Sequence, residues 1–271
     1  MKTLLSLSTI AAITASAFAG TASAQTAVSS DPWITGSVTA TYESSYYFRG
    51  LWFSNNNTYN GVNLSAPLAD KLTLGFGALY TQAADTTLNN GDELEYSELD
   101  LVGSLSYETD FATYGLVVTN YHFFETFSGE VNGVGQGANA DLGVKNALDI
   151  GLTATKSIGC TTLSLGAWFD TKIDAWYFEA SASYNYEVCE KLSLVPMVQM
   201  GYGIDYYVDA SSDGEGLSHV RASLSAPYKL TDVITVTPYV AGNFALETRK
   251  GQNLTESQND LFGGISVGCS F

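Results

Sequence analysis

The sequence is poor in charged residues, and above all in cations. Charged residues make up 14% of the 271 residues, with 11 lysines and arginines against 28 aspartates and glutamates. The net charge of −17 excludes a nucleic-acid-binding protein, because phosphates require Lys and Arg. There are 2 histidines, and no paired-His or Gly-x-Ser-x-Gly motif occurs. We therefore expect no enzyme, with no catalytic residue, no metal and no cofactor.

Long apolar runs are also missing. The first residues have the pattern of a signal peptide, with a basic Lys2, a short apolar stretch and the cleavage site Ala22-Ser23-Ala24. This stretch is shorter than the roughly 20 apolar residues of a spanning helix, and no later run reaches that length. We expect residues 1–24 to be a signal peptide and residues 25–271 to form one domain, without membrane-spanning helices.

The sequence does contain period-2 alternation of apolar with small or polar residues. The closing stretch Leu261–Phe271 shows it, and about twelve such stretches occur along the chain, counting this one. The predicted strands are 34–46, 61–66, 72–81, 98–107, 111–121, 148–155, 163–170, 176–185, 192–202, 219–226, 234–240 and 261–271. An even number of half-apolar strands predicts an all-β fold, a single antiparallel transmembrane β-barrel.

Connection lengths support the same fold. Short connections are expected at 67–71, 108–110, 156–160, 187–191 and 228–232. They alternate with mostly longer ones at 47–60, 83–94, 122–146, 205–216 and 246–259, with 170–174 as a short exception. Short periplasmic turns and long extracellular loops are typical of outer-membrane barrels.

Aromatic residues should form two girdles on the lipid face. Those at the loop ends are Tyr42, Tyr80, Trp176 and Tyr202, and those at the turn ends are Tyr107, Tyr186, Tyr228 and Phe271. A terminal Phe on an amphipathic strand is typical of a barrel insertion signal, which we assign to Ile265, Val267 and Phe271.

The polar face of each strand should line the lumen. The candidate pore-lining residues are Glu43, Arg49, Glu98, Asp100, Asp149, Asp170, Glu179, Asp205, His219 and Arg221. Acidic side chains along a pore favour cations. Alternatively the charges pair across the lumen and fill it, because twelve strands lie between filled eight-stranded barrels and open porins.

Three cysteines allow one disulfide in an exported protein. Cys160 and Cys189 fall in neighbouring short turns and form the candidate pair. A bridge requires their α-carbons to lie within about 7 Å. Cys269 would then remain unpaired.

The first strand runs into Tyr46-Tyr47-Phe48-Arg49-Gly50. Across 41–56 the sequence resembles the TorF-type porin family, catalogued as the Gcw_chp domain. It departs from that pattern after the Arg-Gly, where Leu51-Trp52-Phe53-Ser54 is more aromatic. The resemblance implies an outer-membrane channel. Arg49 is then either a cation at the pore mouth or half of an ion pair that fixes the first loop.

We expect a porin-like channel in the bacterial outer membrane that passes small solutes by passive diffusion, with a preference for cations. The alternative is a closed structural or adhesin-like barrel with acidic surface loops. The expected partners are outer-membrane lipids, the barrel-assembly machinery and small solutes, and a homo-oligomer is compatible with the sequence. A third and weaker hypothesis is an enzyme, with His122 and Glu125 as a hydrolytic cluster in a loop. Whether 122–146 plugs the barrel stays open.

Overall fold

The computed structural model describes residues 33–83, 97–124, 146–206, 214–246 and 260–271. The expected signal peptide and most of the long connections, including 125–145, lie outside these ranges. In the described ranges no helix is long and apolar enough to cross a membrane.

Alternating sequences form the strands, as the period-2 pattern predicts. The segments are β1 (Thr35–Phe48), β2 (Leu51–Ala69), β3 (Leu72–Ala83), β4 (Ser97–Glu108), β5 (Thr113–Phe123), β6 (Asn146–Ile158), β7 (Thr161–Asp170), β8 (Ala175–Tyr184), β9 (Tyr186–Cys189), β10 (Leu192–Ile204), β11 (Glu215–Ser225), β12 (Tyr228–Lys229), β13 (Ile234–Ala245) and β14 (Asp260–Ser270).

These fourteen segments occupy twelve positions around one sheet. The short β9 continues β8 alongside β10, and the short β12 continues β11 between β10 and β13. The second interruption falls at Pro227, which has no backbone N–H to contribute to the ladder.

The sheet closes into a barrel at the seam between β1 and β14, which pair antiparallel from Ser37 and Ser270 to Glu43 and Gly264. At the rim, the N–H of Phe271 donates to the carbonyl of Gly36 at 2.9 Å, and the N–H of Gly36 donates back at 2.8 Å. The predicted fold class, an all-β antiparallel barrel of twelve strands, is confirmed.

The outer face is apolar, as the parity of the sequence predicted. Val38, Leu152 and Ile265 expose 45%, 63% and 47% of their surface. Tyr42 and Trp176 are exposed near the loop ends of their strands, and Tyr107 is exposed near a turn end. An aliphatic band between aromatic rings matches the hydrocarbon core and its two interfaces.

The short turns lie where the sequence placed them, for example at residues 70–71 and 159–160. Two neighbouring turns are joined by Lys71 Nζ and Asp110 Oδ1 at 3.3 Å, and this hydrogen-bonded ion pair raises the pKa of Lys71. The predicted long loop 47–60 is wrong, because β2 already begins at Leu51 after a two-residue turn. The Asn55–Asn57 run resembles a loop sequence but lies within a strand.

The predicted Cys160–Cys189 bridge is not formed, and all three cysteines carry free thiols. Cys160 lies beside Asn185, whose N–H donates to its carbonyl. Cys189 is four residues further along, which separates the two by about 13 Å at 3.3 Å per residue. That exceeds the α-carbon separation that a disulfide spans.

Candidate functional site

The first hairpin leaves the barrel wall and enters the lumen. Pairing of β1 with β14 ends at Glu43, and pairing of β2 with β3 begins only at Asn57. Between them, residues 45–55 pair only with each other, from Ser45 opposite Asn55 to Phe48 opposite Leu51. We call residues 45–56 the luminal hairpin.

Two local features accommodate this departure. Asn56 has a φ of 50°, a left-handed conformation that Asn tolerates better than most residues, and it bends β2. On the wall, the N–H of Gly263 donates to Ser44 Oγ at 3.2 Å. The side chain thus replaces the carbonyl partner that β14 loses where β1 turns inward.

The tip is a two-residue turn of Arg49 and Gly50, with φ values of 50° and 81°. Positive φ at both central residues is typical of a type I′ hairpin turn, which usually contains Asn-Gly. Gly50 is also required by space, since a Cβ there would lie 2.5 Å from the ring of His219 on β11. Its carbonyl accepts from Asn243 Nδ2 of β13 at 3.5 Å.

Both faces of the luminal hairpin pack against the wall. Tyr47 and Trp52 form one buried cluster with Tyr239, Ala241 and Phe262 of β13 and β14. Tyr46, Phe48 and Phe53 belong to a second cluster on the side of β2, β3 and β5, together with Tyr59, Leu79, Ala83 and Phe123. The ring centroids of Tyr47 and Phe262 lie 5.3 Å apart. The hairpin therefore crosses the lumen and contacts several sides of the barrel.

Arg49 at the tip is 3% exposed and sits in an aromatic and acidic enclosure. Its Nη2 lies 2.6 Å from Asp149 Oδ2 of β6, and its Nη1 donates to the hydroxyl of Tyr206 at 2.8 Å. Its Cζ lies 5.4 Å from the ring centroid of Trp168 of β7 and 4.8 Å from that of Tyr177 of β8. We call Asp149, Trp168, Tyr177 and Tyr206 the arginine cage. Phe48 of the hairpin adds a further ring at 4.8 Å.

Asp149 is the anion of the cage and is 1% exposed. Its Oδ2 also accepts from the hydroxyl of Tyr121 at 3.3 Å. In the part of the chain that the structure describes, its Oδ1 has no hydrogen-bond partner. The buried carboxylate thus depends on Arg49 for charge compensation.

Two further luminal candidates accept hydrogen bonds from neighbouring side chains. Glu43 accepts from the hydroxyls of Tyr59 and Tyr239. Glu179 accepts from Gln199 Nε2 at 2.5 Å and from the hydroxyl of Tyr177 at 3.2 Å.

Three further acids lie on the inner side of β4 and β7. Glu98 and Asp100 of β4 are each 3% exposed. Asp170, at the end of β7, is 5% exposed and accepts from the N–H groups of Lys172 and Ile173. The Cζ of Arg221 lies 4.8 Å from the ring centroid of Phe262.

Two further candidates are Asp205 and His219. Asp205 is exposed at the loop end of β10, and its assignment to the lumen stays a prediction. Strand β10 ends at Ile204, and the backbone N–H of Asp205 donates to Gly214 across the connection. His219 is 1% exposed, its Nδ1 lies 3.0 Å from Ser218 Oγ, and its ring stacks on Tyr177. This Ser–His contact is buried inside the barrel.

The hydrolytic cluster considered in the sequence analysis involved His122. Its Nδ1 lies 2.7 Å from Asn146 Oδ1, whereas Glu125 lies outside the described residues. Within the described ranges there is no cluster of three His, Cys, Asp or Glu suited to a metal ion.

Sequence reasoning missed the aromatic half of the cage. Trp168 shares its strand parity with Asp170, and Tyr177 shares its parity with Glu179, so each lies on the polar face. A large ring on a face otherwise made of small polar residues was the available signal.

Solved structures with a similar fold are outer-membrane proteins. An outer membrane channel from Pseudomonas putida F1 aligns with a TM-score of 0.57 and 13% identity, over 89% of this chain and 97% of its own. The KdgM porin aligns with a TM-score of 0.50 and 9% identity, over 87% and 99%. The translocator domain of the autotransporter NalP from Neisseria meningitidis gives 0.50 and 8%, over 90% of each chain. The fold is that of an outer-membrane β-barrel.

At such identities the likeness extends to the barrel and not to its activity. No family model matches the chain, and no curated protein matches it either. The TorF resemblance across 41–56 therefore stays a prediction. Residues 45–56 of this stretch are the ones that turn into the lumen.

Proposed function

We propose that the protein is an outer-membrane channel for the passive diffusion of small solutes, preferring cations, with the luminal hairpin as its gate. The observation that carries this proposal is a closed twelve-stranded barrel with an acidic inner face, crossed by a hairpin that leaves the wall ladder at both ends.

The inner face on the turn side of the hairpin supports a water-filled path. Small, partly exposed hydroxyl side chains line it, including Thr39, Thr41, Ser164, Ser181 and Ser183. Hydroxyl groups hydrate readily and leave free space, unlike the large side chains that fill eight-stranded barrels. In the proposed channel, the lumen is narrowest at the level of the hairpin.

The negative charge of the inner face supports the preference for cations. Glu43, Glu98, Asp100, Asp149 and Asp170 are buried on the inner side, where the only arginines among the described residues are Arg49 and Arg221. An excess of carboxylates at a constriction attracts cations and repels anions.

A second candidate function is a closed barrel that presents surface loops. The buried packing of Tyr47, Leu51 and Trp52 favours it, because burial of one such side chain contributes about 2 kcal/mol. A hairpin held this firmly would keep the lumen shut.

Planar-bilayer conductance separates the two. The informative variant replaces 44–56 by an Asn-Gly turn that joins the paired residues Glu43 and Asn57, since Asn-Gly favours the same type I′ geometry. We expect brief openings from the wild-type channel and larger, lasting open-state currents from the variant. Silence from both, with heat-modifiable folded protein on gels, would leave the closed barrel as the function.

We also propose that the mature chain is exported by its signal peptide and reaches the outer membrane through the barrel-assembly machinery. The apolar belt of Val38, Leu152 and Ile265 supports outer-membrane lipids as its surroundings. Ile265, Val267 and Phe271 of the closing strand support the insertion signal, because they are all exposed on the lipid face.

A further inference from the structure

The arginine cage and its occupant come from separate parts of the fold. Asp149, Trp168 and Tyr177 belong to the consecutive wall strands β6, β7 and β8, and Tyr206 follows β10. Arg49 arrives on the luminal hairpin, whose residues 45–55 make no ladder contact with the wall. The wall thus provides a cation site, and the chain fills it with its own guanidinium.

The chemistry of the cage selects organic cations. Three wall rings lie within 5.4 Å of the guanidinium carbon, and aromatic faces attract weakly hydrated cations. A strongly hydrated metal ion would instead require several oxygen ligands. Asp149 adds a buried carboxylate whose Oδ1 has no partner among the described residues, so it can accept a further N–H.

We propose that the arginine cage is a binding site for small guanidinium and alkylammonium solutes, and that Arg49 is a built-in occupant which they displace. Transit of these solutes rests on the proposed channel function, whereas their binding requires only the cage.

The occupant is suited to displacement. A two-stranded ribbon is marginally stable by itself, and Arg49 holds a left-handed φ of 50° that is unfavourable for a non-glycine residue. An empty cage would leave Asp149 buried without a counter-charge, which is strongly unfavourable. The hairpin therefore leaves most readily when another cation takes its place.

The test is chemical complementation in detergent, measured by calorimetry on the full mature chain. Arg49→Ala removes the atoms of one ethylguanidinium ion from the cage. We expect the variant to bind ethylguanidinium about tenfold more tightly than the wild type, in which Arg49 competes. Adding Asp149→Asn to this variant should return binding to the wild-type level.

The matched control is Arg221→Ala, which removes the other luminal arginine of the described residues. Arg221 lies over Phe262, on the side of the lumen formed by β11 and β14, outside the cage. If this variant gains as much affinity as Arg49→Ala, the acidic lumen attracts cations in general and the cage proposal is overturned. Equal gains for sodium and ethylguanidinium would overturn it as well.

Folding provides a second measurement. Arg49→Gly fits the positive φ of the turn, so it removes the cation without strain. If either variant refolds poorly, ethylguanidinium should restore the folded yield where sodium chloride of equal ionic strength does not. Failure to restore it contradicts the proposal. Neither measurement depends on conductance, so a non-conducting barrel that binds ethylguanidinium would reject the channel and retain the site.

Discussion

At the scale of single residues, Arg49 and Asp149 form a buried ion pair inside the barrel. Both side chains are 1% exposed, and their charged atoms lie 2.6 Å apart. Removing two charges from water costs nearly as much as their attraction returns, so the pair adds little net stability. Its effect is specificity, because only the docked position of the hairpin satisfies both groups.

Breaking one side of the pair should therefore be costly. We expect Asp149→Asn to lower the free energy of unfolding by about 3–5 kcal/mol, because Arg49 then stays buried without a counter-charge. The measurement is urea unfolding in lipid vesicles. The double variant Arg49→Asn with Asp149→Asn should recover part of this loss, since Asn suits the turn and no lone charge remains. Additive losses would show that the two residues act independently.

The control is the ion pair between Lys71 and Asp110 on the turn side. Lys71 is well exposed there, and exposed pairs contribute little to stability. Lys71→Ala should leave the unfolding midpoint unchanged. A loss as large as that of Asp149→Asn would mean that charge removal alone, and not burial, sets the effect.

At the scale of elements, the seam between β1 and β14 contains a tight side-chain contact at its rim. The ring of Phe271 occupies the space above Gly36, where an added Cβ would lie 2.6 Å from the ring. Leu64 of β2 bounds the same space at 2.9 Å. The terminal aromatic residue is thus part of the seam as well as of the lipid face.

We expect Gly36→Val to displace the Phe271 ring and lower the folded fraction after refolding into vesicles, read as heat-modifiable mobility. Gly103→Val on β4 is the matched control, because a Cβ there meets nothing within 4 Å. It should refold like the wild type. Equal losses in both variants would attribute the effect to replacing glycine in a strand and not to the seam.

The sequence was sufficient to predict the strands, their lipid-facing side and the short turns. Alternation is a local property, and burial on one face fixes its parity. The luminal hairpin was missed because Gly50 and the Asn55–Asn57 run are signals of a loop. What holds this segment inside the lumen is contact with residues 100 or more positions away, such as Asp149 and Tyr206. Period and propensity do not contain that information.

At the scale of the whole molecule, the charge balance should set selectivity. We expect the double variant Glu98→Lys with Asp100→Lys, tested in the background with the shortened hairpin, to shift the reversal potential in a salt gradient toward anions. Both acids are buried on the inner face, where a reversed charge acts at close range.

Asp205→Lys is the control, since this carboxylate is exposed at the loop end of β10, whereas Glu98 and Asp100 are buried. Water and salt screen it, so its reversal should leave the potential nearly unchanged. An unchanged potential in the Glu98 and Asp100 variant would remove these residues from the permeation path.

The luminal hairpin also has a consequence for the order of assembly. It lies near the N-terminus, yet the partners of Arg49 follow it by 100 residues at Asp149 and by 157 at Tyr206. Contacts of such long sequence separation form late, because the intervening chain must first be ordered. The first hairpin to be synthesised is therefore the last to settle, and it can dock only into a barrel whose far wall already exists.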